Sequence, residues 1–285
     1  MRNDVDVQRA VSLYQLGLPR MPSSGRTGEM LGRGTGSSLE FQEYREYLPG
    51  DDIRHLDWAA YGRSDALMVR LYREEISPQT EILVDTTRSM TTGNGVKKLV
   101  AQQLAATFSL MIGAVGGRPR LIMLDDQQPL HPYGIDGLDI LRQHPFSAVS
   151  TMWDQLNNHL IPLKQQSVRI VISDFLFPHD PEILIRQLAA NASTLWVVQL
   201  LTQFEADPTV LGGRRLVDIE SRAEADMMID RKTIAAYLER LGRLQEELAQ
   251  NCRRAHATFV KLVADRGLLT LCHNELSHAE IVRPG

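Results

Sequence analysis

An alternation that begins near residue 80 constrains this chain more than any other feature. Short β-rich apolar runs at Glu81–Val84, Arg120–Leu124, Val168–Ser173 and Leu195–Leu201 take turns with amphipathic stretches at Val96–Val115, Thr151–Leu160 and Pro181–Asn191. Parallel neighbours cannot be joined by a tight hairpin, so such alternation predicts parallel pairing through right-handed crossovers. The expected fold class is α/β: a doubly wound, mostly parallel sheet flanked by helices.

Residues 213–230 (GRRLVDIESRAEADMMID) break the rhythm and predict an inserted β-hairpin, with strands at Arg215–Ile219 and Glu224–Ile229. From 233 to 265 the spacing of Ile234, Tyr237, Leu238, Leu241, Leu244, Leu248, Cys252, Phe259 and Leu262 predicts one long helix or two end to end. A last strand is expected at Leu268–Cys272.

Upstream, residues 5–18 carry helical spacing, and the run from Pro19 to Ser38 is rich in turn-formers. Between Leu39 and Glu75 the chain is dense in charge, with a strand expected at Leu67–Tyr72 and a strong turn signal at Pro49-Gly50-Asp51-Asp52. There Arg45 and Arg54 are expected to pair with Asp51, Asp52 or Asp57, while Trp58 packs on the sheet. The domain reading is therefore 1–38 as a helix and loop, 39–78 as a charged segment, and 79–285 as the α/β domain.

Composition narrows the function. With 43% hydrophobic and 23% charged residues the chain can bury a sizeable core, and a net charge of -4 gives no general attraction to nucleic acid. Cys252 and Cys272 lie in no zinc-like spacing and read as buried thiols of a reducing compartment. The N-terminus lacks the apolar core of a signal peptide, and no uninterrupted apolar run is long enough to span a bilayer. A cytoplasmic protein without a membrane segment is expected.

The stretch Ile82–Met90 reads ILVDTTRSM, an apolar strand that stops in oxygen-bearing side chains. In an open parallel sheet ligands bind beyond the carboxyl ends of the strands, where the strand order reverses. Asp85, Thr87 and Ser89, at i, i+2 and i+4, can turn a carboxylate and two hydroxyls toward one point, and hard oxygen donors of low total charge suit Mg²⁺. A second strand, in RIVISDF, also ends in an aspartate, Asp174, and a third contribution is available from Ser150 or Thr151 in SAVSTMWDQL. An Asp followed by Thr and Ser can equally be a plain turn or helix cap that holds no metal.

These residues carry a resemblance. The D-x-[ST]-x-S pattern, a hydroxyl before a later helix and an Asp after a later strand resemble the metal-ion-dependent adhesion site of von Willebrand factor A domains. More sharply, the run from Leu39 to Glu75 followed by ILVDTTRSM resembles the bacterial Domain of Unknown Function 58 family. Glu40, Phe41, Arg45, Tyr47, Gly50, Asp51, Asp52, Arg54, Asp57 and Trp58 fall on its signature block. Asp207-Pro208, the hairpin around Asp218-Ile219-Glu220 and Tyr237 also look like family features.

The resemblance implies a metal site of Asp85, Thr87, Ser89, Ser150 and Asp174, with Ser150 chosen over Thr151 because Met152 and Leu156 then match the family's apolar positions. It implies Mg²⁺, with Mn²⁺ as the alternative, and a non-enzymatic module whose metal is completed by an acidic residue of a partner protein. The implied partner is a MoxR-type AAA+ ATPase, acting in chaperone-like assembly or maturation. The chain has no G-x-x-x-x-G-K-[ST] run, so nucleotide hydrolysis would come from that partner. Two rivals stand beside this reading. One is a scaffold without metal; the other is an Asp-dependent phosphohydrolase, which would need a second Asp where Thr87 stands.

Overall fold

The computed structural model describes residues 1–17, 39–74, 79–126, 130–158, 160–209, 212–217 and 224–285. The chain divides into two compact units, Met1–Leu18 with Pro78–Gly285, and Pro19–Ser77. The turn-rich run at 19–38, Leu18 and the hairpin tip at 218–220 of the sequence reading lie outside the described residues.

Helix α1 (Val5–Leu13) starts at Asp4, whose carboxylate accepts from the N–H groups of Asp6 and Val7. It is shorter than the pattern over 5–18 predicts, because residues beyond it turn extended as β1 (Tyr14–Leu16).

In the smaller unit, β2 (Leu39–Glu46), α2 (Trp58–Ser64) and β3 (Met68–Glu74) form a hairpin-like pair of antiparallel strands with a helix between them. The expected ion pairs are present: Arg45 Nη2 lies 2.7 Å from Asp51 Oδ1, and Arg54 Nη2 lies 2.6 Å from Asp52 Oδ2. Asp57 caps α2 through the N–H groups of Ala59 and Ala60 and accepts from the Tyr44 hydroxyl at 2.9 Å. Trp58 is 66% exposed, and its ring meets Tyr61 edge-on.

The larger unit continues with β4 (Thr80–Asp85), α3 (Val96–Ala114), β5 (Pro119–Leu124), the short β6 (Pro132–Tyr133), α4 (Gly137–Gln143) and α5 (Met152–Asn157). Then come β7 (Ser167–Ser173), α6 (Pro181–Ala189), β8 (Ala192–Leu201) and α7 (Gln203–Ala206). A hairpin of β9 (Gly212–Val217) and β10 (Glu224–Ile229) precedes α8 (Arg231–Arg254), β11 (Thr258–Val263), α9 (Leu268–Leu271) and β12 (Val282–Pro284), which pairs antiparallel with β1.

Six strands make the central sheet in the order β11-β8-β7-β4-β5-β6, all parallel except the edge pair β5–β6. The five parallel strands therefore lie in the chain order second-first-third-fourth-fifth. The chain steps outward from β4 to β5 and then returns past β4 to β7, so the direction of winding reverses between β4 and β7. That reversal opens a crevice beyond their carboxyl ends. Every residue of β4 and β7 is buried, as helices on both faces require. Ile82 and Val84 pack with Val100, Leu104 and Phe108 on one face, and Leu83 packs with Val171, Leu184 and Leu248 on the other. No helix among the described residues is long and apolar enough to cross a membrane.

Two further expectations are corrected. The long helix ends at Arg254, and Phe259 and Leu262 belong to β11, paired with β8. Their three-residue spacing fits a helix, but His256 at φ 53 turns the chain and Thr258–Val263 gains a parallel neighbour. Leu268–Cys272 is helical instead of extended. Leu268, Leu271, Cys272 and Leu276 form a buried stripe at helical spacing, which outweighs the apolar run that suggested a strand.

Candidate functional site

Asp85 ends β4 at the crevice with no exposed surface. A buried carboxylate needs hydrogen-bond donors. The chain supplies them locally: Thr87 N and Thr87 Oγ1 donate to Asp85 Oδ1 at 2.9 and 2.7 Å. From the adjacent strand end, Ser173 Oγ donates to Oδ2 at 2.6 Å. Ser89 Oγ lies 3.0 Å from Thr87 Oγ1. Thr87 has one hydroxyl proton and gives it to Asp85, so Ser89 is the donor in that contact.

Asp174 follows β7 and is equally buried. Its Oδ1 accepts from Leu176 N at 3.0 Å and its Oδ2 from Lys97 Nζ at 2.9 Å. Phe175 beside it holds φ 57, a left-handed conformation that is uncommon for a bulky residue and of the kind found where a neighbour must be aimed. The Lys97 ammonium also donates to Glu205 Oε1 and Oε2 at 2.8 and 3.0 Å. Glu205 and Thr202 form a reciprocal capping box at the start of α7, and Thr92 Oγ1 donates to Glu205 Oε1 at 2.9 Å. Gln199 Nε2 donates to the Asp174 carbonyl at 2.9 Å, and the Tyr237 hydroxyl donates to the Glu205 carbonyl at 2.7 Å.

Burial pushes the Asp85 carboxyl above the usual carboxylate range, and the negative charge of Asp174 pushes it further; the donors Ser173 and Thr87 offset part of this. Burial, with the charges of Glu205 and Asp174, likewise pushes the Tyr237 hydroxyl up to about 12, so it stays a donor. Asp174 and Glu205 share one ammonium, Lys97, while the buried Asp85 carboxylate feels the Asp174 charge and is held by hydroxyl and backbone donors. A divalent cation would relieve the repulsion between Asp85 and Asp174, and a donor set made only of carboxylate and hydroxyl oxygens fits Mg²⁺. Among the described residues no three His, Cys, Asp or Glu side chains gather as a ligand set, so hydroxyls would have to supply the remaining donors.

Ser150 stands in a neighbouring cluster. Its N–H and that of Val149 donate to Asp126 at 2.9 and 3.1 Å, and the Ser150 side chain hydrogen-bonds the same carboxylate. Burial alone would raise the Asp126 carboxyl, but these donors outweigh it and hold the group low. The loop is joined to the first one by the bridge between Thr87 and Ala148 and by Ala148 N donating to Thr86 O at 3.2 Å. Thr151, the other candidate, is committed as the cap of α5: its hydroxyl accepts from Asp154 N and donates to Asp154 Oδ2.

Sequence reasoning had passed over Ser173, Lys97 and Glu205. Lys97 was signalled by its place in the apolar stripe Lys97, Val100, Ala101, Leu104, and Glu205 by the capping pattern Thr202-Gln203-Phe204-Glu205. Ser173 carried no local signal.

The family model described as "Protein of unknown function DUF58" matches residues 43–247. Uncharacterized proteins of Mycobacterium tuberculosis and Mycobacterium bovis are each 23% identical over 285 residues, spanning 94% of this chain and 89% of their own length. Among solved structures, an aerotolerance-related membrane protein from Bacteroides fragilis aligns at 11% identity and a TM-score of 0.33, over 61% of this chain and 99% of that one. The conserved hypothetical protein BatB from Bacteroides thetaiotaomicron aligns at 10% identity and a TM-score of 0.38, over 71% of this chain and 98% of that one.

Proposed function

This chain belongs to the DUF58 family, and on that premise we propose that it is a non-enzymatic, metal-dependent protein-interaction module of von Willebrand A-like fold. One observation carries the reading: two fully buried carboxylates, Asp85 and Asp174, stand at the carboxyl ends of the neighbouring strands β4 and β7 where the sheet reverses its winding, with Ser173 beside Asp174 donating to Asp85. In this reading Asp85 supplies charge, Thr87 and Ser89 supply neutral oxygens from the same loop, and Asp174 supplies the second carboxylate. Ser150 is the assigned donor of the remaining loop, after turning from Asp126. Bound Mg²⁺ would supply an electrophilic position open to one more carboxylate oxygen. The proposed source of that carboxylate is an acidic residue of a partner protein, with a MoxR-type AAA+ ATPase as the partner class. Support for that class is the resemblance of the Arg45–Trp58 block alone.

A specific observation favours a second reading, a scaffold without metal: both oxygens of Asp85 and both of Asp174 already accept from protein donors. Calorimetric titration of EDTA-stripped protein with Mg²⁺ and Mn²⁺ separates the two. The adhesion reading expects saturable heat that the Asp85→Ala variant loses while staying folded, and EDTA-sensitive capture of the ATPase. Absence of heat and of any thermal shift at millimolar metal would leave the scaffold.

A further inference from the structure

We infer that Lys97 is an internal cation that positions Asp174 and sets how weakly or tightly the site takes up a metal ion. The inference rests on the metal reading above.

Lysine is almost never fully buried unless it is paired. Lys97 has no exposed side chain and sits in the apolar stripe of α3. Its three N–H donors match three acceptor contacts, one to Asp174 Oδ2 and two to the Glu205 carboxylate. Glu205 is fixed in turn by Thr202 N at 2.8 Å and Thr92 Oγ1 at 2.9 Å, so the ammonium has little freedom to turn aside. It thus ties together the helix after β4, the end of β7 and the helix after β8.

Two consequences oppose each other. The ammonium orients Asp174 and relieves its repulsion with Glu205, which lets the cluster fold without a metal. The same positive charge lies on a carboxylate that a divalent cation would need, and it repels that cation. Glu205 moderates the repulsion by drawing part of the ammonium away from Asp174. Removal of the ammonium should therefore tighten metal binding, and removal of the Glu205 charge should weaken it.

The test compares wild type, Lys97→Met and Glu205→Gln, each stripped with EDTA and titrated with Mg²⁺ by calorimetry, with urea unfolding followed in EDTA and in Mg²⁺. Unit charges a few ångström apart are worth at least a tenfold change in affinity at protein-like dielectric, so K97M should bind Mg²⁺ roughly tenfold or more tightly than wild type. E205Q should bind more weakly. Mg²⁺ should also raise the unfolding midpoint of K97M more than that of wild type. Heat from K97M where wild type gives none would support the same conclusion. Equal or weaker binding by folded K97M, or a shift of both variants in one direction, would overturn the inference and leave the metal reading standing. If K97M does not fold in EDTA, E205Q decides: weaker binding supports the role, unchanged or tighter binding removes it. No heat from any of the three proteins would overturn the metal reading and this role together.

Discussion

Ser173 Oγ donates to Asp85 Oδ2 across 2.6 Å, and this side-chain bond extends the pairing of β4 and β7 to their carboxyl ends, at the point where the sheet reverses. Asp85 is fully buried, so the Ser173→Ala variant leaves one oxygen of a desolvated carboxylate short of a donor. Its expected cost is about 1–3 kcal/mol, measured by urea unfolding at neutral pH in EDTA. The loss should shrink in the double variant with Asp85→Asn, since the carboxylate that needed the donor is then gone.

Gly93 lies in the loop between the Asp85 turn and α3 with φ +66, and a Cβ there would come within 2.6 Å of Thr202 Cγ2 and 3.0 Å of Val96 Cγ1. Thr202 is the cap that holds Glu205. The Gly93→Ala variant combines left-handed strain with a clash and should lose about 2 kcal/mol or more in urea unfolding. Near-wild-type stability would mean that the two loops are not packed as tightly as described.

The opposite end of the sheet provides a control. Glu81 is fully buried and accepts from Ser167 Oγ at 2.7 Å, Lys164 N at 3.0 Å and Arg169 Nε at 3.2 Å, with Arg120 as a further partner. Arg169 spans from Glu81 to the carbonyls of Leu188 and Ala190, which closes the end of α6. The Glu81→Gln variant leaves that guanidinium without its charge partner, at an expected cost of about 3–5 kcal/mol. Since Glu81 belongs to the amino-terminal half of β4, the variant should leave Mg²⁺ titration of the folded protein unchanged.

His179 predicts an acid-side loss of stability. Its Nδ1 donates to the Phe177 carbonyl at 2.7 Å, its Nε2 is buried with no partner among the described residues, and the ring stacks obliquely on Phe177 at 4.8 Å. Burial lowers its pKa from the ordinary 6.5, outweighing the carbonyl and the nearby acids Asp180 and Glu247. A depressed folded value means that the unfolded chain binds the proton more readily. The stabilisation is therefore complete above the unfolded value and is lost as pH falls through the folded one. Thermal melting of wild type should drop more steeply below about pH 6.5 than that of His179→Phe, and parallel profiles would contradict the assignment.

Much of this architecture was legible because periodicity is a local property. β4, β5, β7 and β8 and the helices α3, α5 and α6 follow from apolar runs and helical stripes that each segment carries by itself. Asp85 and Asp174 stood out for the same reason, as charges closing buried strands. The failures occurred where one local pattern serves two structures. Thr258–Val263 offers both a three-residue apolar spacing and an alternating one, and only its parallel pairing with β8 selects the strand. Leu268–Leu276 is short enough to read as either element until its stripe meets the core.

By itself, then, the sequence determined the class of sheet, the acidic ends of its central strands and the family block of charges before it. The tertiary structure decided which groups those acids face. Lys97 finds its partners 77 and 108 residues away, and Ser173 reaches Asp85 from a strand 88 residues distant. Burial makes such pairings obligatory, because a carboxylate or an ammonium out of water must find an opposite charge or a hydrogen-bond partner. Which partner it finds depends on strand order, and strand order is not written in any local stretch of the chain.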